Sequence, residues 1–298
     1  KDKCEEFSIL KPLKIPSLPW RKFPLISLEE LDQWIKKMPA LNNFNTSCYT
    51  ADQALVYALI DGIKRHEDLQ NDEAYKALNE CLEMTWESSQ VNNAQWSAYF
   101  LNLQHIIDEC WNAGTLVMCA RGSGCGFLLL YALDIIQINC LREKTKMYPW
   151  RFLNPARVSV LDIDVDIEGV RRAQTLEHLR KVYGENRVSN VATFKTEKSK
   201  SAIQTAARGL GIDVDEASYI SNLMPAERGQ VYTLKQTYYG DEENGIAPTQ
   251  AFVNEINKYP KLWEVARKIE GLICGQGIHA GGVVFTNEDF TESRALMR

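Results

Sequence analysis

At 298 residues, 45% of them apolar and 24% charged, the chain has the balance of an ordinary globular protein, long enough for two domains or for one with a large insertion. Its net charge of −5 argues mildly against nucleic acid as a partner, although an acidic body can carry a basic groove. No apolar run approaches the roughly 18 residues of a membrane span, and the start, Lys1-Asp2-Lys3-Cys4-Glu5-Glu6, is not that of a signal peptide, so the expectation is a soluble, cytoplasmic chain.

In chain order, four prolines (Pro12, Pro16, Pro19, Pro24) mark residues 1–25 as an extended lead-in. Residues 28–112 read as helical, with polar breaks near 41–47 and 88–94. Phe100, Leu103, Ile107 and Cys110 recur at helical spacing, and Gly114 stands where a C-terminal cap belongs. A short strand from Thr115 to Ala120 leads into a glycine loop and a helix from about Gly126 to Ile138. The pattern then switches to period two from Val158 to Ile167. A helix follows to Tyr183, apolar at Val170, Ala173, Leu176 and Leu179 and closed by Gly184, and then a strand from Arg187 to Phe194. Residues 196–272 read as mostly helical, split by a polar loop around 226–247, and Gly277 to Phe285 as a glycine-bracketed loop running into a strand. The order predicts a mixed α+β domain, a helical one, and a return of the chain to the first.

Eight cysteines are scattered without a CxxC pair, which speaks for reduced thiols rather than disulfides or structural zinc. His66, His105 and His178 fall in helical patterns and read as structural, and the tryptophans as core rather than as a base-stacking platform.

Two segments carry chemistry. In Leu161-Asp162-Ile163-Asp164-Val165-Asp166-Ile167, acids and aliphatics alternate, so a strand would send the aliphatics inward and line one face with three carboxylates. Carboxylates that close repel unless a cation lies between them. Two magnesium ions about 3.5–4 Å apart, held there, could clamp both oxygens of a phosphoryl displacement. A calcium loop of the EF-hand type is excluded, because its sixth and twelfth positions would be Ile167 and Ala173. A solvated edge strand with its acids outward stays open. The second segment is Ala120-Arg121-Gly122-Ser123-Gly124-Cys125-Gly126. Its glycines would let backbone amides approach an anion at a helix start, although a tight turn in a packed core would use the same residues. It lacks the Gly-Lys-Ser/Thr of a Walker loop. A glycine-serine turn and an acid strand together are the minimal kit of a nucleotidyltransferase.

Arg121 to Gly126, Tyr131-Ala132-Leu133, Phe152 to Ser159 and Asp162 to Asp166, in that order, resemble the palm of bacterial family C DNA polymerases, the alpha catalytic subunits of DNA polymerase III. The resemblance continues through Lys181-Val182-Tyr183-Gly184, Thr193-Phe194 and Arg208-Gly209-Leu210-Gly211 to His279-Ala280-Gly281-Gly282-Val283-Val284, covering roughly residues 97–285. It implies an α+β fold: a palm of the polymerase-beta nucleotidyltransferase type with a mixed sheet, over residues 1–194 with a helical lead-in, a helical thumb over 195–273, and a return to the palm over 274–298. By the same resemblance Asp164 and Asp166 would hold two Mg2+ ions, Mn2+ being able to substitute, and Asp162 would support them. Gly122 and Ser123 would contact the incoming triphosphate, with Arg121 and Lys200 as nearby positive groups and Arg208 and His279 in supporting positions.

The implied reaction is attack of a primer 3′-hydroxyl on the α-phosphate of a dNTP, with primer-template DNA as partner and a sliding clamp and other replisome subunits engaged through other regions. Ala120, Phe127, Leu161, Lys195 and Gln204 depart from the family's usual residues and point to a divergent member, bacterial or phage-borne. The family's third catalytic carboxylate lies beyond the His-Ala-Gly-Gly segment, and Glu288 and Asp289 come too early for it. The expectation is an incomplete catalytic core, unable to polymerise by itself. The alternative is a catalytically inactive palm-like module that binds nucleic acid or a replisome partner.

Overall fold

The computed structural model describes residues 15, 19–156, 161, 163–227 and 230–293. Among them, those up to Ser189 together with those from Val284 onward form one compact unit, and Asn190–Val283 a second. No described helix is long and apolar enough to cross a membrane.

The first unit opens with α1 (Leu28–Lys37), α2 (Leu41–Asn45), α3 (Thr50–Arg65), α4 (Asp72–Asn92) and α5 (Trp96–Asn112). Their ends are written in local chemistry. Ser27 accepts the Glu30 amide at the start of α1, and Asn71 the Ala74 amide at the start of α4. Gly114, at φ +73°, ends α5 with the Thr115 amide on the Cys110 carbonyl and its own on that of Trp111. Of the four residues at that spacing Leu103 is only half-buried, while Phe100, Ile107 and Cys110 are buried in a unit whose core also holds Leu55, Leu59, Ile60, Phe44 and Trp96. Each such side chain contributes about 1.5–3 kcal/mol of burial. The segment 41–47, expected as a break, is largely the short helix α2.

The helix expected over 126–138 is only α6 (Leu128–Ala132). It stops because Asp134 takes a left-handed conformation, φ +56°, with the Ile135 amide on the Leu130 carbonyl and the Asp134 amide on that of Tyr131. Distant groups hold Asp134 there. Its carboxylate accepts from Arg21 Nη1 at 3.0 Å and Arg65 Nη1 at 2.5 Å, and lies 2.7 Å from His66 Nε2. Arg21 also grips Asp108 through Nε and Nη2. Burial pushes the Asp134 pKa up, but the hydrogen bonds from Arg21 and His66 and the charge of Arg65 outweigh it, and the net direction is down. A carboxylate held below its unfolded value stabilises the fold at every pH above that value, and the contribution is lost as pH falls through the lowered pKa. Asp134→Asn is therefore expected to cost about 1–2 kcal/mol in urea denaturation at pH 7, with the difference shrinking below about pH 4.

A short helical turn at Gly169–Arg171 precedes α7 (Arg172–Tyr183), which ends at Gly184, φ +109°. Thr175, Leu176, Leu179 and Tyr183 form its inner face. Val170 lies before the helix begins, and both it and Ala173, expected on that face, are exposed. β1 (Val188–Thr196) follows.

The second unit contains α8 (Ser199–Leu210), α9 (Val214–Asn222), β2 (Ala226–Glu227), β3 (Gln230–Val231), α10 (Leu234–Tyr239), α11 (Gln250–Ile256) and α12 (Pro260–Ile269). β2 and β3 form an antiparallel pair. α8 packs on α9 and α12 around Ile203, Ala206, Ile220, Phe252 and Leu262. The polar stretch 226–247 thus holds two short strands and a helix that Thr233 and Gln236 start with a reciprocal cap. β4 (Ile273–Phe285) pairs with β1, and α13 (Phe290–Ser293) closes the described chain. The glycine-bracketed loop expected from Gly277 is therefore part of a strand.

The fold is α+β, but no palm-sized mixed sheet forms among the described residues. The strands expected at 115–120 and 158–167 meet in a single antiparallel bridge, Val117 with Ile167. Residues 157–160 and Asp162 lie outside the described residues.

Candidate functional site

The acid run is tied down from several sides. The Tyr99 hydroxyl donates to the Leu161 carbonyl at 3.2 Å. The Met118 amide donates to the Asp166 carbonyl at 2.9 Å, and the Glu168 amide to that of Leu116 at 3.0 Å. These bonds fix the backbone of Asp166 against the segment that leads into the glycine turn. The expected inward aliphatics are only partly covered: Ile163, Val165 and Ile167 are half-buried, and Leu161 is buried.

The turn itself is a short 3₁₀ helix, Gly122–Gly126, directly before α6. It sits on an aromatic plate, with Phe127 5.0 Å from Phe152 and 6.1 Å from Phe100 between ring centres. Gly124 is there for close packing, since a Cβ on it would lie 3.1 Å from Leu130. Gly122 has the opposite character, at φ +69° with nothing within 4 Å of where a Cβ would stand. The first glycine of the turn is a conformational joint facing open space; the second is packed closely against the end of the Leu130 side chain.

Arg121 joins the two segments. Its Nη1 donates to Asp166 Oδ1 at 2.6 Å, and its Nε lies 3.4 Å from Asp164 Oδ2. The hydrogen bond to Asp166, then the charges of Asp166 and Asp164, raise the pKa of the guanidinium above its ordinary value. The two acids, two residues apart, therefore converge on one cationic group, as alternation along an extended segment allows. With side-chain exposures of 55% for Asp164 and 42% for Asp166, the pair stands on open surface where a ligand can reach it. A cleft of about 540 Å³, lined by Cys81, Gly126, Leu128, Cys140 and Met147 among others, contains none of the three.

Arg121, Gly122, Ser123, Asp164 and Asp166 thus share one unit, with Arg121 in contact with both acids. Asp162 lies outside the described residues. Lys200, Arg208 and His279 belong to the second unit. Lys200 is in the first turn of α8, and Arg208 is exposed near its end. His279 sits within β4, its Nδ1 accepting the amides of Gly281 and Gly282, so its ring shapes the local backbone. Asp289 works as a turn acceptor for the Thr291 amide. The helical histidines are all engaged: His66 with Asp134, His105 with the Tyr183 hydroxyl, His178 with Glu109. Among the described residues no group of three or more His, Cys, Asp or Glu side chains converges as a ready metal cage. What the sequence reading missed is the acid partner of Arg121. An arginine before a glycine turn carries no sequence mark of a carboxylate more than forty residues away, where Asp166 stands at a separation of 45.

The family model described as "Bacterial DNA polymerase III alpha NTPase domain" matches residues 53–298. A "Probable DNA polymerase YorL" of Bacillus subtilis (strain 168) is 38% identical over 300 residues, covering 95% of this chain and 22% of that protein. A "DNA-directed DNA polymerase" of Bacillus phage SPbeta matches to the same extent. The DNA polymerase III subunit alpha of Deinococcus radiodurans is 32% identical over 213 residues, covering 72% of this chain and 15% of its own length. The chain spans about a fifth of the length of the Bacillus subtilis and phage SPbeta relatives.

Proposed function

The chain belongs to the bacterial DNA polymerase III alpha family, and from that membership we propose that it carries the metal- and triphosphate-binding part of a template-directed DNA polymerase. The observation that carries the reading is the convergence of Asp164 and Asp166 on one guanidinium beside the glycine turn. That geometry is also a test of fit for a metal: two carboxylate oxygens already face a common cation, and hard oxygen donors are what Mg2+ selects. Asp164 and Asp166 would hold two Mg2+ ions, with Asp162 in support. When bound, the metal supplies Lewis-acid stabilisation of charge on the reacting phosphoryl oxygens.

The remaining roles fall to the chain's own residues. The amides around Gly122 and Ser123 would grip the triphosphate, and the open joint at Gly122 lets a phosphate approach the backbone closely. Arg121 would add positive charge beside it, and the half-buried Lys200 and exposed Arg208 of α8 would give the second unit a phosphate-contacting face of its own. His279 would keep its strand in shape. The partners in this reading are primer-template DNA, dNTPs and, through other parts of a longer protein, a sliding clamp and replisome subunits, in a bacterial cytoplasm. Purified full-length protein is expected to extend a primed template with Mg2+ and four dNTPs and to stop on chelation. No extension by intact protein under these conditions would overturn the reading.

A further inference from the structure

We propose that Arg121 is the resident counter-cation of the acid pair, and that a divalent ion binds only by displacing its guanidinium. The proposal rests on the reading of Asp164 and Asp166 as the metal-binding acids. The guanidinium uses two different nitrogens, Nη1 toward Asp166 Oδ1 at 2.6 Å and Nε toward Asp164 Oδ2 at 3.4 Å. A divalent ion bound to these same oxygens at about 2.0–2.1 Å would occupy the volume the guanidinium fills. The two cations are therefore mutually exclusive at this pair.

The means of departure are built in. Arg121 has an extended backbone, φ −150° and ψ 148°, and Gly122 behind it is a left-handed joint with no neighbour within 4 Å of a Cβ position. The Arg121 side chain is 54% exposed, so leaving the acids breaks two surface ion pairs and no core packing. The exchange is ionic: carboxylate–guanidinium contacts give way to carboxylate–metal contacts, and the freed guanidinium stays next to the glycine turn. Until then one of the pair's two negative charges is offset from within, and their mutual repulsion is reduced. Metal affinity at rest is consequently lower than the two acids alone would give.

Mn2+ titration of the chain at fixed ionic strength, followed by loss of the free-ion EPR signal, tests this without turnover. Arg121→Gln is expected to bind Mn2+ on the order of two- to fivefold more tightly, the range of exposed ion pairs. Arg121→Lys, a compact ammonium that cannot fork across two carboxylates, should fall between. Arg142→Gln removes the same charge from a different pair, with Asp68, and should leave the affinity unchanged. Circular dichroism would verify that each variant is folded. Equal affinity for the chain and Arg121→Gln, or an equal gain in Arg142→Gln, would sink the displacement idea while leaving the acids as ligands. Unchanged Mn2+ binding in both Asp164→Asn and Asp166→Asn, or no Mn2+ binding by either the chain or Arg121→Gln, would remove the acid-pair reading and this proposal with it.

Discussion

Asp164→Asn or Asp166→Asn, introduced into a full-length polymerase carrying this sequence, is expected to lower primer extension at least on the order of a thousandfold. The substitution keeps shape and removes charge, so it isolates what the carboxylate does. A single preorganised donor at a reacting centre accounts for roughly a hundred- to a thousandfold in rate, and an acid that positions a divalent ion controls more than one such contact. Stability should hardly change, because both side chains stand at the surface and their partner Arg121 is exposed as well. Extension rates with matched thermal melts separate the two effects. A loss of less than about tenfold in the folded variant would mean that the substituted acid does not hold the metal.

Gly62→Ala is expected to act in the opposite sense, on folding alone. Gly62 lies inside α3, where alanine should gain about 1 kcal/mol of helix propensity. Against that, a Cβ at this position would lie 1.9 Å from the carbonyl oxygen of Ala132 and 2.9 Å from its carbon. Both are backbone atoms at the end of α6, so no side chain can rotate away. α3 and α6 would have to separate, loosening Leu128, Leu129 and Leu130 in the core. A net loss of about 3 kcal/mol or more follows, measurable as the fall in urea midpoint. A midpoint equal to that of the parent chain would show that α3 and α6 tolerate the extra methyl.

That glycine marks what the sequence could and could not tell. α5 was legible because its apolar spacing and Gly114 agree, and α7 was legible from Leu176, Leu179 and Gly184. These signals are local. Gly62 reads as a simple cost in a helix until α6 is seen against it. The end of α6 was missed for the same reason: Asp134 breaks it in answer to Arg21, Arg65 and His66, which are 113, 69 and 68 residues away. In the candidate site, the alternation of acids and the glycine turn were visible as composition. Their connection through Arg121 was not, since it depends on a backbone pairing between Leu116–Met118 and Asp166–Glu168 that no periodicity announces. Among the described residues the strands expected on either side meet only at Val117 and Ile167, because alternation marks a segment able to pair and says nothing of how many partners it finds.

The route of the chain through its two units bears on how such a protein can vary. The chain leaves the first unit after Ser189 and re-enters it at Val284. The stumps are held to each other on the first unit's side: the Thr286 amide donates to the Arg187 carbonyl at 2.9 Å, the Phe290 amide to that of Asn186 at 3.0 Å, and the Asn186 side chain to Asp289 at 2.7 Å. The helical unit is, in polymer terms, an excursion from a clasp. Closure entropy grows only logarithmically with the length of an excursion, about 0.6 kcal/mol for each doubling. Lengthening, shortening or exchanging the helices between those stumps therefore changes the stability of the acid-bearing unit little, and a lineage is free to remodel one while keeping the other.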